Sequence, residues 1–87
     1  MRYLGIDYGV KKVGVALTDE TGFMAFPLAT LPHTRALLSD ILSIIREKHV
    51  DEIVLGESKN LRGGDNPLAG GIRRFQADIE RESGLPV

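Results

Sequence analysis

The chain has 87 residues, of which 43% are hydrophobic and 26% charged, and its net charge is −1. This composition is typical of one small soluble domain, and no apolar run approaches the ~18 residues that a membrane span needs. The sequence contains no cysteine, which excludes disulfides, thiol nucleophiles and thiolate zinc sites. Because no signal-peptide pattern precedes the first strand, we expect a cytoplasmic protein. The near-neutral charge argues against a chain that coats nucleic acid but leaves room for local basic patches.

The first third of the sequence has the pattern of three antiparallel strands. Residues 2–8 and 12–19 are predicted to pair across a short turn, and residues 23–31 form a third extended stretch after a polar turn. Pro27 lies inside this third stretch and restricts that strand to a sheet edge or a bulge.

From Thr34 the hydrophobic period changes to that of a helix. Residues 34–48 are predicted to form an amphipathic helix, with Thr34 as its N-cap. The apolar run at 52–56 follows this helix, which predicts a buried strand that is parallel to an earlier one.

The last third predicts a loop and a second helix. Residues 57–66 are polar and rich in glycine, and the order Asn66-Pro67 is typical of a helix start. The helix is expected to stop at Gly84, and residues 85–87 have the character of a further strand.

Asp7 is the most informative single residue. It follows an apolar strand and has glycines nearby at positions 5, 9 and 14, which permit a close approach of a bulky ligand such as a metal ion with a phosphate behind it. The alternative is that Asp7 caps the turn, as aspartate often does. The local sequence leaves both interpretations open.

Several motifs, in their order along the chain, resemble one protein family. They are GIDYGVKKVGVALTD at the start, FPLATL, IVLGES, NLRGGDNP, and RRF and GLPV in and after the second helix. With them the chain resembles the YqgF/RuvX family of Holliday-junction-resolvase-like proteins, which are implicated in maturation of the small-subunit ribosomal RNA precursor. The resemblance covers essentially all 87 residues.

The resemblance implies an α/β, ribonuclease H-like fold with a mixed sheet: a three-strand antiparallel meander, a helix, a parallel strand and a helix. The family continues with a fifth strand that leads to an Asp-Glu-Arg-like motif, and with a final helix that carries another aspartate. Residues 1–87 are therefore expected to be a single domain of this fold that lacks its last strand and helix. Family members usually have Gly-Leu-Pro where this chain has Gly56-Glu57-Ser58, so an acid at position 57 is unusual.

The resemblance also implies a metal-dependent nuclease that hydrolyses phosphodiester bonds in structured RNA or branched DNA. Carboxylates of this architecture hold Mg²⁺ or Mn²⁺, and we expect Asp7 and Glu57 to serve as catalytic metal ligands. The carboxyl ends of parallel neighbouring strands share one sheet edge, so the two acids are expected to lie side by side. The alternative for Glu57 is a solvated loop acid.

Six basic residues are predicted to lie around this edge and to contact nucleic-acid phosphates: Lys11, Lys12, Lys59, Arg62, Arg73 and Arg74. For Arg73 and Arg74 the alternative is the solvated face of a helix. His33 and His49 flank the first predicted helix, and we expect roles at its ends for both.

Two other functions compete with the nuclease. One is a lobe of an actin- or sugar-kinase-like ATP-binding fold, which would need a second lobe. The other is a catalytically silent fragment that binds nucleic acid or associates with itself, because a fourth strand without a partner exposes an edge that recruits other chains. We expect the 87-residue form to be inactive or nearly so, since two acids make an incomplete metal cage.

Overall fold

The computed structural model describes residues 1–57 and 69–87. In chain order the elements are β1 (Tyr3–Tyr8), β2 (Lys12–Thr18), β3 (Ala25–Pro32), α1 (Leu37–Glu47), β4 (Glu52–Glu57) and α2 (Ala69–Ser83). The four strands form one sheet in the order β3-β2-β1-β4. β1 and β3 are antiparallel to β2, and β4 is parallel to β1, which confirms the predicted α/β fold with a mixed sheet.

Both helices pack on the same face of the sheet. Strand side chains alternate between the two faces, and Leu4, Ile6 and Tyr8 of β1 point into a core that also contains α1 and α2. Ile41 of α1 and Ile79 of α2 are completely buried there. Burial of such a side chain contributes about 1.5–3 kcal/mol to stability, so this one layer of contacts holds the domain together.

The other face of the sheet carries no helix in the described residues. We call it the open face. Its central positions are small: Gly5 on β1, and Gly14 and Ala16 on β2. On β4 the exposed Val54 lies beside Gly5 in the strand register.

Pro27 lies on an edge strand and beside a bulge, and either of these places is compatible with a proline in a sheet. Val15 pairs with Ala29 whereas Ala16 pairs with Pro27, so Leu28 is the extra residue of β3. The prediction of an edge strand or a bulge is thus confirmed, because both of these places spare the proline a ladder hydrogen bond.

The first helix begins later than predicted, and Thr34 is not its N-cap. The N-cap is Ala36, which makes no side-chain cap bond. The hydroxyl of Thr34 instead accepts a hydrogen bond from the N–H of Ala36 at 3.2 Å and forms a local turn ahead of the helix. At the other end, His49 adopts the left-handed conformation, with φ 53°, so the predicted helix-end role of His49 is confirmed.

The end of the second helix agrees with the sequence. α2 stops at Ser83, and Gly84 has φ 73° while its N–H donates to the carbonyl of Glu80 at 2.9 Å. The predicted start at Asn66-Pro67 lies outside the described residues. Beyond Gly84, the carbonyl of Pro86 accepts a hydrogen bond from the N–H of Ile53 at 3.0 Å, so the end of the described chain runs beside the start of β4.

Candidate functional site at the end of the first strand

Asp7 lies near the carboxyl end of β1, and its side chain is on the open face. It is the second-last residue of the strand and is exposed, whereas its neighbours Ile6 and Tyr8 are buried against the helices. The alternation of a strand therefore directs this carboxylate away from the core. Asp7 is in place to meet a ligand that approaches the open face.

Glycines surround Asp7 on the sheet. Its partner on β2 is Gly14 and its partner on β4 is Gly56. A Cβ atom at Gly14 would lie 3.6 Å from the Cβ of Asp7, and a Cβ at Gly56 would meet nothing within 4 Å. Gly5 precedes Asp7 by two residues on the same face, so three sheet positions next to Asp7 are glycines that contribute no side chain of their own.

Asp7 lies in a wide groove that runs across the open face from β4 to β3. Its volume is about 590 Å³, and its lining includes Gly5, Gly14 and Gly56 together with Phe26 and Thr30 of β3. Small-molecule sites commonly enclose about 300–1,000 Å³. Of the three glycines predicted to give clearance, Gly5 and Gly14 line the groove, whereas Gly9 is buried and does not. Gly56 adds to the clearance. Gly56 was not predicted to give clearance, although its place at the end of a buried strand is a usable signal.

The strand register separates Glu57 from Asp7. β1 and β4 are parallel neighbours, as predicted, but the residue beside Asp7 is Gly56, and Glu57 lies beside Tyr8. Because successive strand residues alternate, the register assigns Glu57 to the helix-bearing side and Asp7 to the open face. The side-by-side arrangement expected for the two acids is therefore offset by one residue. Glu57 is exposed at the last position of β4.

Tyr8 and His33 form a polar contact immediately behind Asp7. The hydroxyl of Tyr8 lies 3.2 Å from Nε2 of His33, and Nδ1 of His33 lies 2.7 Å from the carbonyl oxygen of Gly9. The Tyr8 ring also packs on Phe75 of α2, with ring centroids 5.0 Å apart. Burial raises the pKa of the Tyr8 phenol, which keeps the hydroxyl protonated. The His33 side chain contacts the end of β1 and the residue after it. The role at a helix end that was predicted for His33 does not account for these contacts.

The basic residues predicted around the site are not all on one surface. Lys11 and Lys12 are exposed at the turn from β1 to β2. Lys12 is two residues before Gly14 on β2, so strand alternation assigns both to the open face. Arg73 and Arg74 are exposed on α2, the helix that packs on the opposite face. Lys59 and Arg62 lie outside the described residues.

The donor set at this edge suits a hard cation only in part. Within residues 1–57 and 69–87, no group of three histidine, aspartate or glutamate side chains is arranged to hold a metal. A Mg²⁺ ion, however, commonly uses one or two carboxylates and fills its other positions with water and substrate phosphate oxygens. An exposed carboxylate whose sheet neighbours are glycines fits that mode of binding.

Taken together, the mixed sheet and the acid at the end of its first strand define a protein of the ribonuclease H-like class. A family model described as RuvX, Holliday junction resolvase, matches residues 1–87. The chain belongs to this family. Neither of the two helices in the described part of the chain is long and apolar enough to cross a bilayer.

Curated relatives resemble the whole chain. A protein of Oleidesulfovibrio alaskensis named "Putative pre-16S rRNA nuclease" is 39% identical over all of this chain and 62% of its own length. A protein of the same name from Moorella thermoacetica is 38% identical over all of this chain and 64% of its own length. The chain therefore spans less than two thirds of the length of these relatives.

A solved structure also shares the fold. The PPX-GPPA enzyme of Aquifex aeolicus superposes on the whole chain with a TM-score of 0.50, at 19% identity and over 34% of its own length. At this identity the likeness concerns the fold alone.

Proposed function

We propose that the protein acts as a divalent-metal-dependent nuclease that hydrolyses phosphodiester bonds in structured nucleic acid, with the small-subunit ribosomal RNA precursor as substrate. The observation that carries the proposal is Asp7, exposed on a sheet face that its glycine neighbours leave open. Membership of the RuvX family and the names of the curated relatives support the nuclease class. A cytoplasmic location belongs to the same proposal.

In this proposal Asp7 contributes carboxylate oxygens to a bound Mg²⁺ or Mn²⁺ ion. Such an ion supplies an activated water and offsets the negative charge that develops at phosphorus during hydrolysis. Gly14 and Gly56 leave room for the phosphate to approach the carboxylate. Lys12, on the same face, contacts a neighbouring phosphate and orients the backbone without reading its sequence.

Glu57 is the candidate for a second metal ligand. It ends the strand beside β1, but the register assigns it to the other face of the sheet. To join Asp7, its side chain has to reach around the end of β4. We therefore propose Asp7 as the principal ligand and Glu57 as the secondary one.

Replacement of Asp7 tests the proposal directly. We expect Asp7→Asn to abolish site-specific Mn²⁺ binding, which can be followed on the 87-residue chain by paramagnetic broadening of the amide signals of Gly9, Gly14 and Gly56. The loss follows because an amide oxygen carries no charge for the cation. Asp40→Asn changes a carboxylate on α1, on the opposite side of the sheet, and is the matched control. Glu57→Gln measures the share of the second acid.

Cleavage is measured on the same variants with Mg²⁺ or Mn²⁺, both in the 87-residue chain and in a chain extended by the C-terminal part of a curated relative. We expect the extended form to cleave, the short form to cleave little or not at all, and Asp7→Asn to be inactive with its fold retained. A precursor ribosomal RNA and a four-way DNA junction, offered in parallel, identify the substrate. Normal cleavage by the extended Asp7→Asn variant would contradict the nuclease assignment of this site.

We further propose that the chain associates with a second copy of itself along β4. This strand is at one end of the sheet order, and only its start is contacted by the end of the described chain. An unpaired strand edge offers backbone donors and acceptors to another strand.

A further inference from the structure

His33 holds the turn that follows Asp7 at three points. Its side chain contacts Tyr8 and Gly9, as described above, and its own main-chain N–H donates to the carbonyl of Lys11 at 3.0 Å. These residues connect β1 to β2, whereas His33 lies 24 residues further along the chain from Gly9. One residue directly after β3 therefore ties this turn to the end of that strand.

The contacts of the His33 ring define which nitrogen carries its proton. A carbonyl oxygen can only accept, so Nδ1 of His33 must be the protonated nitrogen that donates to Gly9. In the neutral ring Nε2 is then an acceptor, and the Tyr8 hydroxyl donates to it. The two rings meet edge to face, with centroids 4.9 Å apart and planes at 70°, which further restricts the histidine ring.

This arrangement bears on Asp7 because adjacent strand residues point in opposite directions. Asp7 lies between Ile6 and Tyr8, both buried on the helix side of the sheet. If the strand end rotates, Tyr8 leaves its place and the Asp7 carboxylate turns away from the open face. The anchoring of Tyr8 and Gly9 therefore also sets the direction of the carboxylate.

The remaining contacts of the strand end hold Tyr8 itself, which pairs with Val13 of β2 and with Glu57 of β4. Tyr8 keeps its packing against Phe75, and its hydroxyl lies 3.4 Å from where a Cβ of Gly71 would be. These contacts hold the ring but leave the carbonyl of Gly9 and the turn beyond it without a side-chain tie among the described residues. Leu4 and Ile6 belong to the core cluster and His33 does not, so we expect loss of its ring to loosen the turn more than the core.

We propose that His33 is a positioning residue of the Asp7 site: through the Tyr8 hydroxyl and the Gly9 carbonyl it fixes the end of β1, so that the Asp7 carboxylate faces an incoming cation and phosphate. For its effect on the cation, this inference rests on the proposed function. The hydrogen-bond arrangement itself is independent of that function and can be measured separately.

The first experiment observes the ring of His33 by ¹⁵N NMR in the intact chain. We expect the neutral ring of His33 to carry its proton on Nδ1 and none on Nε2, with a slowly exchanging Nδ1 proton. His49 is the only other histidine of the chain, and it is exposed beyond α1, so it is the internal reference. A His33 ring that is protonated at Nε2 and exchanges as fast as that of His49 overturns the proposal.

The second experiment measures Mn²⁺ affinity in four variants by the same amide broadening used for Asp7. We expect His33→Ala to weaken binding about tenfold, as loss of a residue that orients a metal ligand commonly does. His33→Asn keeps an N–H donor near the position of Nδ1 and should restore part of the affinity, because it can still donate to Gly9. Tyr8→Phe should give a smaller loss, and His49→Ala none.

The outcomes separate this inference from the proposed function. Unchanged Mn²⁺ affinity in both His33 variants, with binding lost in Asp7→Asn, overturns the role of His33 and leaves the nuclease site standing. Unchanged affinity in Asp7→Asn overturns the proposed function instead, and the NMR measurement still decides whether His33 holds the turn. If His33→Ala fails to fold, the Mn²⁺ affinities of His33→Asn and Tyr8→Phe replace it. A reduced affinity in both variants supports the role of His33, and an unchanged affinity in both overturns it.

Discussion

At the scale of single residues, the site depends on what is missing beside Asp7 as much as on Asp7 itself. Gly14 and Gly56 pair with it on both sides and contribute no side chain. A glycine inside a strand weakens that strand, so two of them beside one exposed acid indicate that open space is needed there. This arrangement of an exposed carboxylate among glycines is what the proposed approach of a phosphate requires.

Gly14→Val is expected to separate function from stability. The new Cβ would lie 3.6 Å from the Cβ of Asp7, an ordinary contact, so the fold accepts it. A β-branched residue also favours a strand, and we expect the free energy of unfolding to stay within about 1 kcal/mol of the original value. Mn²⁺ affinity should fall about tenfold or more, because the valine methyls occupy the approach to the carboxylate.

Broadening titrations and urea unfolding check this prediction together. Ala16→Val is the matched control, because Ala16 lies on the same strand and the same face, two residues further from the end of β1. If Gly14→Val binds Mn²⁺ as tightly as the Ala16→Val control does, the glycine clearance has no function.

At the scale of the elements, the sequence predicted most of the features that depend on local patterns of residues along the chain. The edge strand with Pro27, the stop at Gly84 and the parallel strand after α1 are all present. Each of these follows from a local rule of backbone geometry. Thr34 as an N-cap was wrong, because a threonine hydroxyl can equally form a local turn, and the sequence does not distinguish the two.

The register between β1 and β4 could not be predicted in the same way. Both strands are mostly apolar, so their sequence patterns look almost the same if the pairing shifts by one residue. Such a shift nevertheless decides whether Glu57 lies on the same face as Asp7, and in the observed register it lies on the opposite face. The side-chain contacts of His33 were missed for a related reason, since they join residues 24 and 25 positions apart. Asp7 itself was found because its signal is local: an acid at a strand end among glycines.

The amphipathic pattern of α1 gives a prediction about stability. Ile41 is fully buried in the core between this helix and the sheet. We expect Ile41→Ala to lower the free energy of unfolding by about 2–5 kcal/mol, through lost burial and the cavity that remains. For a domain of this size that is a large share of the total stability.

Urea unfolding monitored by circular dichroism measures this loss. Ser39→Ala, an exposed position on the same helix, is the control and should change stability by less than about 0.5 kcal/mol. An equal effect of the two substitutions would show that α1 does not pack on the sheet as described.

At the scale of the whole molecule, the sheet is covered on one face and bounded by β4 at one end. Val54, on the open face of this edge strand, is 59% exposed. Natural sheets protect such an edge with a charge, a bulge or a covering segment. Among residues 1–57 and 69–87 only the start of β4 has such cover, from the carbonyl of Pro86, so we expect the rest of the edge to pair with a second copy of the chain.

Val54→Lys should shift the chain toward monomer. A lysine on the edge strand places a charge where the second copy would bind, and two such charges meet in a symmetric pair. Sedimentation velocity over a micromolar concentration series is expected to show concentration-dependent dimer for the original chain and a lower dimer fraction for the variant. Met24→Lys makes the same charge change at a residue of similar exposure, 57%, just before β3, and should leave association unchanged. A folded original chain that stays monomeric across the series would show that the β4 edge has no partner in a second copy.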